Sequence, residues 1–250
     1  MTENRKTLLL SEDSLVFWPN KSEKYIARLC RVDASDEDLL PADEPVKAVL
    51  AGPGLRLNNT GVSPKELLID LAGESPDGKD IAYTTCMSKL IATANRSAVA
   101  MPVYGYSHGN LSVSLERIGQ YADPWDAGFC GVVAVQKTDA IQNGASPGNW
   151  KAWAENTLRD FVSRLDDYLT DGAYELWIIK DEGKGYLNDA VVLDNFGPFM
   201  GSDLLRNGAT EALDTMGYGF SAAMREGRLK RGRIKKTVSY GYDIEDEDHG

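Results

Sequence analysis

The clearest periodic pattern in the chain lies in residues 150–169. Apolar side chains recur there every three or four positions, as at Trp150, Leu158 and Leu165, and charged residues occupy many of the positions between them. One face of a 3.6-residue helical period is therefore apolar and the opposite face is polar. The pattern predicts a long amphipathic helix, with its end at Gly172.

Two other helical segments are predicted from their boundary residues. Ser63 is suited to cap a helix, Pro64 suits the first helical position, and Glu66 places an acid in the first turn. Gly73 predicts the end of this helix. Residues 202–217, SDLLRNGATEALDTMG, predict one further helix or two short ones.

From residue 99 onward, four stretches have the composition of β-strands. Residues 99–119 are rich in β-branched and aromatic residues near period two, and residues 129–137 form an apolar run that suits a buried strand. Residues 173–181 and 186–197 flank a glycine-containing turn, which predicts a β-hairpin.

The order of these elements predicts an α+β fold with a mixed or antiparallel sheet and one long amphipathic helix. Strands and helices in the second half of the chain do not alternate as they do in a doubly wound sheet. A change in texture near residue 98 divides the prediction into three parts. These are an N-terminal portion packed on the rest, residues 1–98; an α+β core, residues 99–224; and a charged, mobile tail, residues 225–250.

Composition restricts the possible classes of protein. Hydrophobic residues make up 42% of the 250 positions, which suits a folded globular chain. The three cysteines form no CxxC pair, so we expect reduced thiols packed as small apolar residues. With only two histidines, no metal site and no cofactor are predicted. No apolar run approaches the roughly 20 residues that span a bilayer, so we expect a cytoplasmic protein without a membrane partner.

Acidic residues dominate the charge of the chain, which is formally −11. Six of the twelve residues in the stretch 33–44 are acidic. This stretch is either a solvated loop or an acidic patch that docks on a basic partner.

Basic residues are concentrated near the C-terminal end. Residues 225–236 contain seven lysines or arginines and one acid, and residues 243–248 contain five acids. The basic run is either a solvated segment or a site that neutralises nucleic-acid phosphates, and the acidic stretch can fold back on it and compete. The basic residues are Arg225, Arg228, Lys230, Arg231, Arg233, Lys235 and Lys236.

Residues 104–131 combine the one histidine that is far from the chain ends with aspartates and glycines. A structural interpretation makes the Pro-Trp-Asp element a stiff, plugged turn before a strand. A catalytic interpretation makes His108 a general acid or base that Asp123 or Asp126 orients, with Asp194 as a further candidate carboxylate. The sequence favours the structural interpretation and a protein that is not an enzyme.

Three large aromatic side chains are candidates for a binding surface. Trp125 lies in the Pro-Trp-Asp element, and Phe196 and Phe199 lie in a turn with two glycines and a proline. Exposed aromatic side chains are frequent anchors of protein interfaces. The alternative is a packed hydrophobic loop.

Four elements between residues 101 and 206 together resemble a group of proteins common in bacteriophages and plasmids. They are a Tyr-Ser-His-Gly element at 106–109, a Pro-Trp-Asp-Ala-Gly element at 124–128, LDDYLTDGAYELWII at 165–179, and DNFGPFMG at 194–201. The resemblance rests on their order and spacing. It implies the cellular context of a mobile-element protein in a bacterial host and implies no particular reaction.

Three hypotheses about function follow. The first is a phage or mobile-element accessory protein that binds a host or phage macromolecule, with inhibition of a host defence or nucleic-acid enzyme as its sharpest form. The second is a hydrolase acting on a nucleotide or nucleic acid through His108 and nearby aspartates. The third is a nucleic-acid-binding accessory protein that uses the basic run at 225–236.

Overall fold

The computed structural model describes residues 14–20, 23–41, 43–52, 55–73, 86–108, 110–117, 127–180, 192–236 and 242–246. Within those residues the chain forms eleven strands and seven helices. The strands are β1 (Ser14–Asn20), β2 (Glu23–Val32), β3 (Lys47–Gly52), β4 (Leu55–Asn58), β5 (Ala98–His108), β6 (Asn110–Ser114), β7 (Ala127–Gln136), β8 (Ala173–Lys180), β9 (Val192–Met200), β10 (Lys230–Lys236) and β11 (Tyr242–Asp246). The helices are α1 (Asp36–Leu39), α2 (Pro64–Ala72), α3 (Met87–Ala94), α4 (Lys137–Gln142), α5 (Trp150–Asp171), α6 (Ala209–Thr215) and α7 (Phe220–Arg225).

The chain divides into two compact units at places other than the predicted boundaries. One unit, the split unit, contains residues 1–34 and 171–250, and the other, the inserted unit, contains residues 35–170. No boundary lies near residue 98, because β5 pairs with β7, which also pairs with β3 from the preceding part of the chain. The sheet of the inserted unit therefore joins the two parts that the sequence separates.

The split unit is built on a six-stranded sheet in the order β11-β10-β1-β2-β8-β9. Every neighbouring pair in it is antiparallel. Buried apolar side chains from β1, β2 and β8 pack with those of α6 and α7 in one cluster. The antiparallel pairing predicted for residues 173–181 and 186–197 is confirmed as β8 and β9, with β9 beginning at Val192, and the predicted turn between them lies outside the described residues. The helical segment predicted at 202–217 is observed as the shorter α6.

Trp18 lies at the centre of the aromatic contacts in this cluster. Its side chain is 1% exposed, and its ring lies 5.1 Å from that of Phe220 and 5.9 Å from that of Tyr25, measured between centroids. The indole Nε1 donates to the backbone oxygen of Tyr218 at 2.9 Å. The one polar atom of this large side chain is thereby satisfied inside the core.

The inserted unit is built on a five-stranded antiparallel sheet in the order β4-β3-β7-β5-β6. Helices cover both of its faces. Leu158, Phe161 and Leu165 of α5 pack in the cluster on one face, and Leu68 of α2 and Leu90 of α3 pack in the cluster on the other. The long amphipathic helix and the α+β fold class are confirmed, and the observed strand pairs are antiparallel rather than mixed.

Helix α2 begins where its sequence predicts. The Ser63 hydroxyl accepts from the Glu66 backbone N–H, the Glu66 carboxylate accepts from the Ser63 backbone N–H, and Pro64 occupies the first helical turn. This reciprocal capping box satisfies two N–H groups at the start of the helix. Gly73 follows the last residue, at φ 64°.

Gly131 allows β7 to pass very close to β3. Its φ is 146°, and a β-carbon at this position would lie 2.0 Å from the backbone oxygen of Val49. The register between β5 and β7 shifts beside it, between Val103 and Tyr104. Cys130 is the extra residue of this β-bulge, and its sulfur lies against Gly105 and Gly52.

The basic run and part of the acidic stretch are strands of the split unit, where the sequence predicts a mobile tail. β10 pairs with β1 on one side and with β11 on the other. Its pairing with β1 places it beside Leu15 and Val16, which are fully buried. The composition of a segment shows its charge and does not show whether a distant strand will pair with it.

No helix within the described residues has the length and apolar character needed to cross a membrane.

Candidate functional site

An acidic groove lies at one end of the sheet in the inserted unit. Its walls come from the loop before β3, the turn after β4, helix α2, and the end of β7 with α4. The groove encloses about 500 Å³. That volume is within the range of sites that bind small molecules or single side chains of a partner.

Lys47, the first residue of β3, is the basic residue that lines this groove. Its Nζ donates to Gln136 Oε1 at 3.1 Å and lies 3.8 Å from Asp139 Oδ2. The Lys47 and Asp139 side chains are 34% and 26% exposed, so both still face solvent. The ammonium is therefore held against the end of β7 and the first turn of α4.

Two asparagines fix the backbone of the groove wall. Asn59 Oδ1 accepts from the Ala48 N–H at 2.9 Å, and its Nδ2 donates to the Val46 oxygen at 2.8 Å. Asn58 Oδ1 accepts from the N–H groups of Thr60 and Gly61, which closes a tight turn after β4. The wall is thus shaped before any partner arrives, which lowers the entropy cost of binding.

Carboxylates outnumber the single ammonium. Asp43, Glu44, Asp70 and Asp139 all line the groove, against Lys47. Glu44 also forms an ion pair with Arg164 at 3.0 Å and has a side chain that is 14% exposed. Asp43 and Asp70 are exposed, so their carboxylates give the groove open negative charge.

Apolar side chains also line the groove. Leu67 and Leu71 of α2 are buried, and Val46 and Val62 contribute from the loops on either side of the hairpin. An apolar surface bordered by carboxylates suits a ligand with an aliphatic stem and a cationic head, which is the chemistry of lysine and arginine side chains.

The polar groups that line the groove are carboxylates, side-chain amides, the Lys47 ammonium and the Thr60 hydroxyl. Among the described residues that line it there is no histidine, cysteine or serine, and the Thr60 hydroxyl donates to Asn58 Oδ1 at 2.9 Å. Elsewhere in the described part of the chain, no cluster of three or more histidine, cysteine or acidic side chains is arranged to hold a metal ion.

Of the sequence-predicted catalytic residues, His108 and Asp194 lie among the residues described, one in the inserted unit and the other in the split unit. His108 is the last residue of β5 and pairs in register with Asn110. Asp123, Asp126 and the binding candidate Trp125 lie outside the described residues. Asp194 lies on β9, where its carboxylate accepts a hydrogen bond from the Tyr218 hydroxyl.

This hydrogen bond gives Asp194 a structural role. Burial raises the pKa of the Tyr218 hydroxyl well above its usual value, and the bond to Asp194 and the carboxylate charge raise it further. The phenol therefore stays protonated and keeps donating across the working pH range. Its ring also packs edge-on against Tyr25 at 5.0 Å between centroids.

The two phenylalanines predicted as a binding surface pack partly inside the split unit. Phe196 and Phe199 are each half-buried and lie against the apolar cluster of that unit. Phe196 contacts the Tyr218 ring edge-on at 6.3 Å between centroids. Both side chains therefore contribute to packing on the core.

The basic residues predicted to contact nucleic acid occupy the end of α7 and strand β10. Arg225 ends α7, and Arg228 donates from Nε to Glu226 at 2.6 Å and from Nη1 to the Pro19 oxygen at 2.6 Å. Arg228 is thereby tied to the fold. The remaining residues, Lys230, Arg231, Arg233, Lys235 and Lys236, all lie on β10.

Cys86 and Cys130 differ in solvent exposure, which the sequence does not predict. Cys130 is buried, as expected, and burial raises the pKa of its thiol. Cys86 is exposed instead of packed, because it precedes α3 on the surface. The Ser88 hydroxyl, 3.4 Å away, and then the Lys89 backbone lower the pKa of the Cys86 thiol.

We expect Cys86 to react with a disulfide reagent such as Ellman's reagent at least about tenfold faster than Cys130 near neutral pH. Attack requires an accessible thiolate, and Cys86 has both the lowered pKa and the exposure. Stopped-flow absorbance at several pH values measures the phases. The variant Cys86→Ser should lose the fastest phase, and survival of that phase would contradict the assignment.

Sequence reasoning identified part of the acidic groove. The acidic stretch at 33–44 supplies Asp43 and Glu44. Asp70 and Asp139 were not predicted, since they lie on separate helices that only the sheet brings together. The local sequence shows only that each lies on the polar side of a short helix, and many surface acids occupy such positions.

Comparisons of the chain with models of protein families, with curated proteins and with solved structures return no significant match.

Proposed function

We propose that this chain is a non-catalytic binding protein whose acidic groove receives a basic segment of a partner protein. The observation that carries the proposal is the composition of the groove, in which four carboxylates surround one ammonium beside an apolar surface. A lysine or arginine of the partner would place its aliphatic stem over Leu67 and Leu71 and its charge between Asp43 and Asp70.

The overall charge supports the same kind of partner. A formal charge of −11 steers a basic protein surface toward the chain. Acidic proteins can occupy the basic nucleic-acid-binding surface of an enzyme by charge complementarity. We therefore propose a host enzyme of defence or of nucleic-acid metabolism as the partner, with inhibition as the outcome.

The proposed setting is a bacteriophage or another mobile element inside a bacterial cell. Its support is the order and spacing of the four sequence elements between residues 101 and 206. The setting and the groove are separate parts of the proposal, because the groove is formed largely outside those four elements. A different setting would leave the chemistry of the groove unchanged.

The variant Asp43→Lys, Asp70→Lys tests the groove. Both residues are exposed, so the substitutions should leave the fold intact while reversing the charge that a cationic segment meets. With a fluorescent lysine- and arginine-rich peptide at low salt, fluorescence anisotropy should show binding to the native chain and a loss of about tenfold or more in the variant.

The matched control is Glu155→Lys, Asp160→Lys, which makes the same charge change on the exposed face of α5. Its affinity for the peptide should fall much less. The same three proteins, used as baits in bacterial lysate at low and moderate salt, report on the natural partner. Equal peptide affinity in both variants would show that net charge alone attracts the peptide, and the groove proposal would be wrong.

A further inference from the structure

Strand β10 is the most basic element of the split unit. Five of its seven residues are lysine or arginine. Its register partners on the β1 side are Ser14, Leu15, Val16 and Phe17, none of which carries a charge. On that side, therefore, the pairing provides no carboxylate to balance the cations of β10.

Strand β11 lies on the other side of β10, at the edge of the sheet, and three of its five residues are acids. The antiparallel register places Arg233 opposite Glu245 and Lys235 opposite Asp243. Residues directly opposite each other in such a ladder share one face of the sheet. Acid positions of β11 therefore lie opposite basic positions of β10 on the same face of the sheet.

The opposed charge pairs between β10 and β11 are individually weak. Directly opposed charge pairs contribute only about 0.2–1 kcal/mol each, and salt weakens them further. Five residues separate β10 from β11, a tether short enough to hold the acids near the basic strand at an effective concentration of roughly millimolar. An external polyanion must compete with that local concentration.

We propose that β10 is a binding site for the phosphate backbone of single-stranded nucleic acid, and that β11 is a built-in competitor that keeps the site weak. Phosphates would replace the carboxylates of Asp243 and Glu245 opposite Lys235 and Arg233, next to Arg231, which is exposed. This site belongs to the split unit, so it is independent of the acidic groove and of the protein partner proposed for it.

The variant Asp243→Asn, Glu245→Gln, Asp246→Asn tests the competition. It removes three negative charges with little change in side-chain shape. Affinity for a fluorescent single-stranded DNA oligonucleotide at low salt should rise about tenfold or more over the native chain, with a steeper dependence on salt. Adding Arg231→Gln, Arg233→Gln and Lys235→Gln to this variant should abolish the gain.

The matched control is Glu116→Gln, Glu155→Gln, Asp160→Asn. These three acids are exposed on the inserted unit, and their removal changes the net charge by the same amount. Affinity for the oligonucleotide should stay within about twofold of the native value. An equal gain in both triple variants, or none in the β11 variant with native circular dichroism, would overturn the proposal.

A disulfide between the two strands gives a second measurement that does not depend on removing charge. Ile234 and Ile244 are directly opposite in register, so both are replaced by cysteine in a Cys86→Ser background. With β11 locked in place, the oxidised protein should bind the oligonucleotide several-fold more weakly than the same protein after reduction. Equal affinity in the two states would show that β11 is only an edge strand.

Discussion

Replacing Gly131 with alanine is expected to destabilise the inserted unit by about 3 kcal/mol or more. The φ of 146° lies outside the range that side chains with a β-carbon tolerate, and strain of this kind costs about 1–3 kcal/mol. The new β-carbon would also lie 2.0 Å from the Val49 oxygen, which forces β3 away from β7 in the middle of the sheet. Urea unfolding followed by circular dichroism measures the loss.

Gly128 provides the control for this prediction because it lies on the same strand. No atom lies within 4 Å of where its β-carbon would be, and its φ is in the ordinary range. The variant Gly128→Ala should change the free energy of unfolding by no more than about 0.5 kcal/mol. If the two alanine variants unfold alike, the close approach of β7 to β3 is not the reason for glycine at 131.

Replacing Trp18 with alanine should cost the split unit about 3–5 kcal/mol. The change removes a side chain that is 1% exposed, together with its ring contacts to Phe220 and Tyr25. It also leaves the Tyr218 oxygen without the indole donor that it has at 2.9 Å. Thermal unfolding monitored by tyrosine and tryptophan fluorescence reports the loss.

The variant Trp18→Phe separates packing from hydrogen bonding. Phenylalanine keeps most of the apolar volume and removes the Nε1 donor, so the expected cost falls to about 1–3 kcal/mol. A phenylalanine variant as unstable as the alanine variant would show that packing of the ring contributes little. A neutral alanine variant would contradict the central position of Trp18 in the aromatic cluster.

Local patterns predicted the elements whose formation depends on neighbours in sequence. The 150–169 periodicity placed α5 because one face of that helix carries the buried residues, including Leu158 and Phe161. Ser63 and Glu66 placed the start of α2 because they bond to each other's backbone. In both cases the residues that form the sequence pattern are the same residues that form the helix or its start.

Features that depend on distant pairing were not predictable in this way. β10 has almost no apolar alternation, and it becomes a strand because β1, more than 200 residues earlier, offers it a pairing edge. The acidic groove combines Asp43, Asp70 and Asp139, which come from three different parts of the inserted unit. Charge composition showed that acids were abundant without showing which of them converge.

The split unit also determines the order in which the nascent chain can fold. A ribosome delivers β1 and β2 first, yet their neighbours β8 and β10 leave the exit tunnel only after all of residues 35–170. The inserted unit can fold while β1 and β2 each still have one unpaired edge, and unpaired strand edges favour aggregation. A chaperone that shields Leu15, Val16 and Trp18 during this interval should therefore raise the yield of folded protein.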